Sequence, residues 1–377
     1  MEAEYLYVPD YLCKLARETH PRATVNENIP QKCLVINSLI SNAPEVWRSI
    51  ESAVMSGESA VFVDDSETPV YAVLDELKPE WISKNFPRSR AYRHRVISMT
   101  KSTSLMRYLW TLIDENAQEI ERSYSSNRHF DVGLPSSCEK FGEKILVSPD
   151  TEIQRYVTLD SREGPIIISE NARIESFSYL TGPCFIGKKA VVKSARVGHG
   201  STISNNSKVA GEVEKSIVSE YSNKNHEGYV GHSFIGSWVN LGAQTTTSDL
   251  KNTYGEIKVS VGGKILKTGL VKVGAFIADM AKTGIGTTIT CGKSIGVSSH
   301  VLGNVSSNVP SFTMHSDSPR LSAVEIYIDS AIETQKRMMS RRGIAVSEAY
   351  VSMIKNVFKL TGNDRRANRV SKGRFRS

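Results

Sequence analysis

Between Glu212 and Lys251 this chain gathers side chains able to move a proton and grip an anion: Glu212, Glu214, Lys215, Lys224, His226, Tyr229, Asp249 and Lys251, with Arg196 shortly before them. An imidazole titrates near neutrality, so His226 could accept a proton in neutral solution. A carboxylate can hold such a ring in one tautomer and support its positive form. A guanidinium fork suits a phosphate. Each group also has a plainer reading: a surface histidine at a corner, a satisfied acid, a solvated arginine. His199, His232 and His300 read as corner or subunit-contact residues. The five cysteines (Cys13, Cys33, Cys138, Cys184, Cys291) are scattered and form no CxxC pair, so the pattern points to neither a disulfide framework nor a zinc site.

The element that must carry these groups announces itself by a beat of six. An aliphatic residue recurs at Ile168, Ile174, Leu180, Ile186 and Val192, slips by one, and resumes at Val197, Ile203 and Val209. It returns at Ile235 and Leu241, then at Ile277, Ile289, Ile295 and Val301, with Thr283 on the missing beat; weaker beats fall at Val147, Ile153 and Leu159. Neither a helix nor an alternating strand keeps this period. It predicts a parallel β-helix of short strands stacked coil on coil. Glycines after the beat (Gly187, Gly198, Gly236, Gly242, Gly296) read as permitting tight corners.

The 377 residues suffice for two or three modules. Residues 1–122 lack the beat and read as a small α/β piece: strands at Leu34–Asn37 and Ala60–Val63, a hairpin partner at Val70–Leu74, and helices around Glu45–Val54 and Leu105–Arg122. A polar linker is expected over 123–144, the coils over 145–312 with a loop-bearing break at 246–272, helices over 319–361 and a basic tail over 362–377. Leu321, Val324, Ile328, Ile332 and Lys336 are assigned one helical face, and the helices are expected to cap the open end of the coils. The tail, with Arg365, Arg366, Arg369, Lys372, Arg374 and Arg376 against Asp364, carries most of the net charge of +7. It reads as a solvated extension rather than a nucleic-acid contact, since no aromatic platform accompanies it. No apolar run is long enough to span a membrane, and the start lacks a signal-peptide pattern, so a cytoplasmic location is the default.

The phrases Tyr221-Ser222-Asn223-Lys224, Trp238-Val239-Asn240-Leu241-Gly242-Ala243, Ser248-Asp249-Leu250-Lys251-Asn252 and Lys282-Thr283-Gly284-Ile285-Gly286-Thr287 carry a resemblance. Over roughly 145–343 the chain resembles the acetyltransferase half of the bifunctional N-acetylglucosamine-1-phosphate uridyltransferase / glucosamine-1-phosphate acetyltransferases, closest to divergent archaeal-type sugar nucleotidyltransferase relatives. The resemblance implies a left-handed parallel β-helix with a truncated α/β N-terminal domain, assembled as a homotrimer with sites between subunits. It implies transfer of an acetyl group from acetyl-CoA to an amino sugar phosphate in nucleotide-sugar synthesis. By the same resemblance His226 is the general base and Glu212 orients it. Arg196 holds the phosphate, Tyr229 and Asn240 contact the amino sugar, and Ala243 offers an amide near the thioester. Asp249 and Lys251 belong to a protruding loop, and Gly274, Ala275 and Ser298 lie along the acetyl-CoA. Trp238 is expected at the subunit interface.

The chain departs from the pattern at Glu214, where the family has a lysine beside the phosphate, so Lys215, Lys224 or a lysine of a neighbouring subunit must supply that charge. Residues 1–122 contain no Gly-rich, Arg-containing nucleotide loop; the chain starts downstream of it or has lost it. A sugar-1-phosphate nucleotidyltransferase activity, which would bring Mg²⁺ with it, is therefore the alternative, beside a non-catalytic relative that binds a sugar nucleotide.

Overall fold

The computed structural model describes residues 3–27, 32–75, 95–99, 105–126, 134–318 and 323–373. These fall into two compact units, Met1–Tyr108 with Ile344–Val357, and Leu109–Gly343 with Phe358–Ser377. In the first, four strands pair in the order Cys33–Ile36, Pro69–Leu74, Ala60–Val63, Arg95–Ser98. The expected hairpin is present: Ala60–Val63 runs antiparallel to Pro69–Leu74, with Asp64 accepting from the Ser66 and Thr68 amides in the turn. The Pro44–Ser56 helix lays Val46, Ile50 and Ala53 on Val70, Tyr71 and Val73.

The second unit is built by the six-residue beat. Its stacked parallel strands form a β-helix. One face runs through eight strands from Ile145–Val147 to Ser294–Ile295. Every aliphatic beat residue from Ile168 to Val301 is buried in a single continuous core. Each such side chain contributes roughly 1.5–3 kcal/mol by leaving water, which is why the repeat, rather than any one coil, carries the stability. Thr283 keeps the missing beat by bonding to the Thr245 hydroxyl at 2.6 Å inside that core.

The glycines after the beat serve another purpose than expected. The corners are turned by non-glycine residues in the left-handed region, among them Tyr156, Phe177, Tyr221 and Trp238. Tyr221 and Trp238 stack at 4.3 Å. Gly236 has no positive φ; a Cβ there would lie 2.4 Å from Asp279 Oδ1. Close approach of the next coil excludes a side chain.

Several elements differ from the sequence reading. The Leu109–Ser126 helix, grouped above with the N-terminal piece, lies in the second unit. It buries Trp110 and Ile113 against Ile257, Val259, Val273 and Phe276, and leaves Leu109 exposed. The break at 246–272 is therefore no bare loop: it folds as a Lys258–Val261/Lys264–Lys267 hairpin whose apolar side receives this helix. Within the expected linker, Glu139–Phe141 pairs with Thr158–Asp160 as part of the coils. The last coil strand, Thr313–Ser316, is edged by the antiparallel strand Val324–Glu325, not by helices. The Ile328–Ser340 helix instead lies along the flank of the coils, held by Gln335 Nε2 on Ser298 Oγ (2.7 Å) and Arg342 on Asn223 Oδ1 (3.0 Å). Val324 is thus strand, and Lys336 faces solvent beside Glu333. Leu321, Arg374 and Arg376 lie outside the described residues. The basic segment is not wholly solvated: Gly362–Ala367 is helical, and Arg365 is buried between Glu325 and the Phe312 and Phe358 rings.

Candidate active site

Stacking of coils lines up side chains that are far apart in sequence. The register pairs Thr158 with Tyr179, Tyr179 with Arg196, Arg196 with Glu212, and Glu212 with Tyr229. One rung per coil thus builds an outward ladder across five coils. A bulge between Lys193 and Arg196 shifts the register there. The ladder walls a cavity of about 400 Å³, whose lining includes Phe177, Tyr179, Arg196, Glu212, Glu227, Gly228 and Tyr229. Arg196 Nε lies 3.9 Å from Glu212 Oε1, and both side chains are well exposed, 68% and 44%.

His226 sits in the turn that leads into this wall, one residue before Glu227, and is exposed. The expected Glu212–His226 pair is not formed. Among the described residues the His226 ring makes no hydrogen bond or ion pair, whereas Glu212 faces Arg196, its ladder neighbour. Lys224 explains the shape of that turn. It is buried, and its ammonium donates to the Ala210 and His226 carbonyls, both at 2.9 Å. Burial lowers it to about 8, against a weak opposing pull from Glu227. Two of its three donors are engaged with backbone, so it holds the His226 turn instead of facing the cavity. Gly228 completes the turn at φ +126, where a Cβ would meet the Thr245 carbonyl oxygen at 2.2 Å.

Other expected site residues are dispersed. Lys215 pairs with Asp114 at 2.6 Å. Lys251 donates to the Glu256 carbonyl within its own loop. Asn240 is exposed, on the flank column that continues through Lys282. The amides of Gly274, Ala275 and Ser298 are committed to His232 O, Ser233 Oγ and Asp279 O, so they offer no N–H to an acyl carrier. The Ala243 N–H, by contrast, makes no hydrogen bond among the described residues, while its carbonyl accepts from Gly286.

The strongest polar network involves a residue to which the sequence reading assigned no role. His232 Nδ1–H donates to Asp249 Oδ2 at 2.6 Å, and Tyr229 Oη–H donates to the same oxygen at 2.9 Å. The two partners are only 11% and 13% exposed. The hydrogen bond from His232 holds the Asp249 carboxyl below its usual range, against the cost of burial. Burial and the Asp249 charge push the Tyr229 phenol upward, so it stays a donor. Glu214 also reaches the phenol, at 3.4 Å. Tyr229 thus joins the open cavity to a buried acid–imidazole pair. The signal was legible: His232 and Asp249 are 17 residues apart, one coil, as are Tyr179 and Arg196. No cluster of three or more metal-ligating side chains occurs among the described residues, and no helix there is long and apolar enough to cross a membrane.

Comparison with known proteins follows the motifs. No protein-family profile matches the chain. It is 37% identical over 145 residues to a bifunctional sugar-1-phosphate nucleotidylyltransferase/acetyltransferase of Sulfurisphaera tokodaii, covering 36% of this chain and 34% of that protein. It is 31% identical over 181 residues to the bifunctional protein GlmU of Methanococcus maripaludis, covering 46% and 43%. The chain spans less than half the length of these curated relatives. Among solved structures, the polySia-specific acetyltransferase NeuO aligns with 55% of this chain and 97% of its own, at 16% identity and a TM-score of 0.31. A UDP-N-acetylglucosamine acyltransferase from Campylobacter jejuni aligns with 57% and 96%, at 13% identity and a TM-score of 0.28. The chain is similar, over part of its length, to the family its motifs pointed to.

Proposed function

We propose that this relative of the bifunctional sugar-1-phosphate nucleotidyltransferase/acetyltransferases is a hexapeptide-repeat N-acetyltransferase. It moves an acetyl group from acetyl-CoA to a glucosamine-1-phosphate-like acceptor, working as a left-handed β-helix in a homotrimer. The observation that carries this reading is the ladder of Tyr179, Arg196, Glu212 and Tyr229 along one cavity, with His226 in the turn beside it. Arg196 holds the acceptor phosphate as a charged fork. Tyr229, pinned by Asp249, and Asn240 from a neighbouring subunit orient the amino sugar. The amine lone pair attacks the thioester carbon as His226 takes the amine proton. The uncommitted Ala243 N–H faces the developing oxyanion. Collapse breaks the C–S bond, and the sulfur leaves with the proton returned by the imidazolium. Glu212 reaches the imidazolium once a bound phosphate draws Arg196 away from it.

The test is thiol release from acetyl-CoA against a panel of amino sugar phosphates, for wild type and His226→Ala. Release dependent on both the acceptor and His226 is expected. Release indifferent to the substitution would remove the proposed base. Absence of turnover on every acceptor, with sugar nucleotide still bound, would favour a non-catalytic relative.

A further inference from the structure

A second cavity, of about 220 Å³, lies under the Ile328–Ser340 helix on the flank of the coils. Its floor is the column that runs from Lys282 to His300 to Met314 in successive coils, and its roof is Ala331, Thr334 and Gln335 of the helix. Lys282 is partly buried. Its ammonium donates to the Met280 carbonyl at 3.0 Å and makes no other hydrogen bond or ion pair among the described residues. An ammonium has three donors, so two remain without a protein acceptor. No carboxylate lines the cavity. His300, the other titratable group there, is lowered to about 4 by burial and by Lys282 beside it, so it is neutral and adds no second charge. Burial alone lowers Lys282 to about 8, which leaves it mostly protonated at pH 7.

A partly buried cation facing a cavity without a counter-ion is costly, and its natural complement is an anion brought from outside. The rest of the wall decides which anion. Met280, Met314, Ile326 and Ala331 supply its apolar surface. Of the polar groups beside them, the Thr334 hydroxyl is bonded to the Ser330 carbonyl and the Gln335 amide to Ser298; Lys282 is the one charge among the described lining residues, whereas a phosphate site collects several. The volume is below that of a drug-sized pocket.

From this geometry we infer that the cavity is a binding site for a short-chain aliphatic monocarboxylate, its carboxylate on Lys282 and its alkyl chain between Met280, Met314 and Ala331. The site goes beyond the acetyl-transfer reading and uses none of the ladder residues, although Ser298, expected along the acetyl-CoA, is in its lining. Butyrate is the probe, with acetate, hexanoate and inorganic phosphate for comparison, followed by saturation-transfer NMR and calorimetry on the full chain at pH 7. Saturable butyrate binding is expected, stronger than that of acetate or phosphate. Lys282→Met should weaken it about tenfold or more, the scale of a hydrogen bond to a charged group. Ala331→Phe, which fills the cavity from the helix side and leaves Lys282 in place, should abolish it; circular dichroism and thermal melting check that both variants fold. Unchanged affinity in Lys282→Met, phosphate bound better than butyrate, or saturable binding by none of the probes would overturn the assignment. So would displacement of butyrate by coenzyme A, which would make the cavity part of the acyl-carrier site.

Discussion

Arg196–Glu212 and His232–Asp249 are products of one rule, the stacking of residues a coil apart, yet they end in opposite environments. The first pair is open to water, at 3.9 Å. Water screens it, and such pairs contribute about 0–1 kcal/mol. The second is close, nearly dry, and shares its acceptor oxygen with Tyr229. Hydrogen bonds to a charged group in such surroundings are worth about 1.5–3 kcal/mol. The difference assigns labour: the open ladder can exchange partners with a substrate, and the buried pair holds the ladder's last rung in place.

The largest effect expected is in the open region. His226→Ala should lower acetyl transfer by ~100-fold or more, the usual worth of a positioned base, with little change in melting temperature because the ring is exposed and unpartnered. A large loss of stability instead would break the division between working and holding residues.

Next, His232→Asn should destabilise the chain by about 2 kcal/mol, the scale of a hydrogen bond to a charged group, as read by urea unfolding. It should also raise the acceptor KM, since Asp249 would no longer fix Tyr229. An effect confined to kcat with unchanged stability would move His232 into the chemistry.

Lys224 sharpens the comparison from a third side. Its folded-state value, about 8, lies below that of an unfolded lysine near 10.4. At this residue the unfolded chain therefore binds more protons between these limits, so its contribution to stability grows as pH climbs from about 8 to 10, opposed above pH 9 by the Cys184 thiol, which burial pushes up to about 12. Lys282, lowered likewise, acts in the same direction, so Lys224→Met should make the slope of melting temperature against pH less positive over this range without removing the share due to Lys282.

The smallest effect on stability is expected at Glu212→Gln: a change below about 1 kcal/mol, with phosphate affinity raised because Arg196 loses a competitor and acetyl transfer lowered because the His226 imidazolium loses its carboxylate. A change as large as that at His232 would mean that the open pair is structural after all.

The six-residue beat from Ile168 to Val301 is a statement about periodicity, and periodicity is local enough to be read directly. It identified the coils, their core and the exception at Thr283. The ladder was half legible, since Arg196, Glu212 and Tyr229 could be named, and the spacing of one coil was present in the letters for His232 and Asp249 too. Partner choice was not legible. Glu212 has an arginine above it and a tyrosine below it only because a bulge sets the register there, and Lys224 turns inward only because the Ala210 carbonyl of the preceding coil and the His226 carbonyl of its own turn await it. Helix placement was equally hidden: an amphipathic pattern says that Ile113 and Ile332 must be covered, but not by what. Sequence by itself therefore determined which residues go inside, because hydrophobic burial follows a repeating pattern. Tertiary structure alone decided which polar groups meet, because hydrogen bonds depend on distances set by register, bulges and the packing of distant segments.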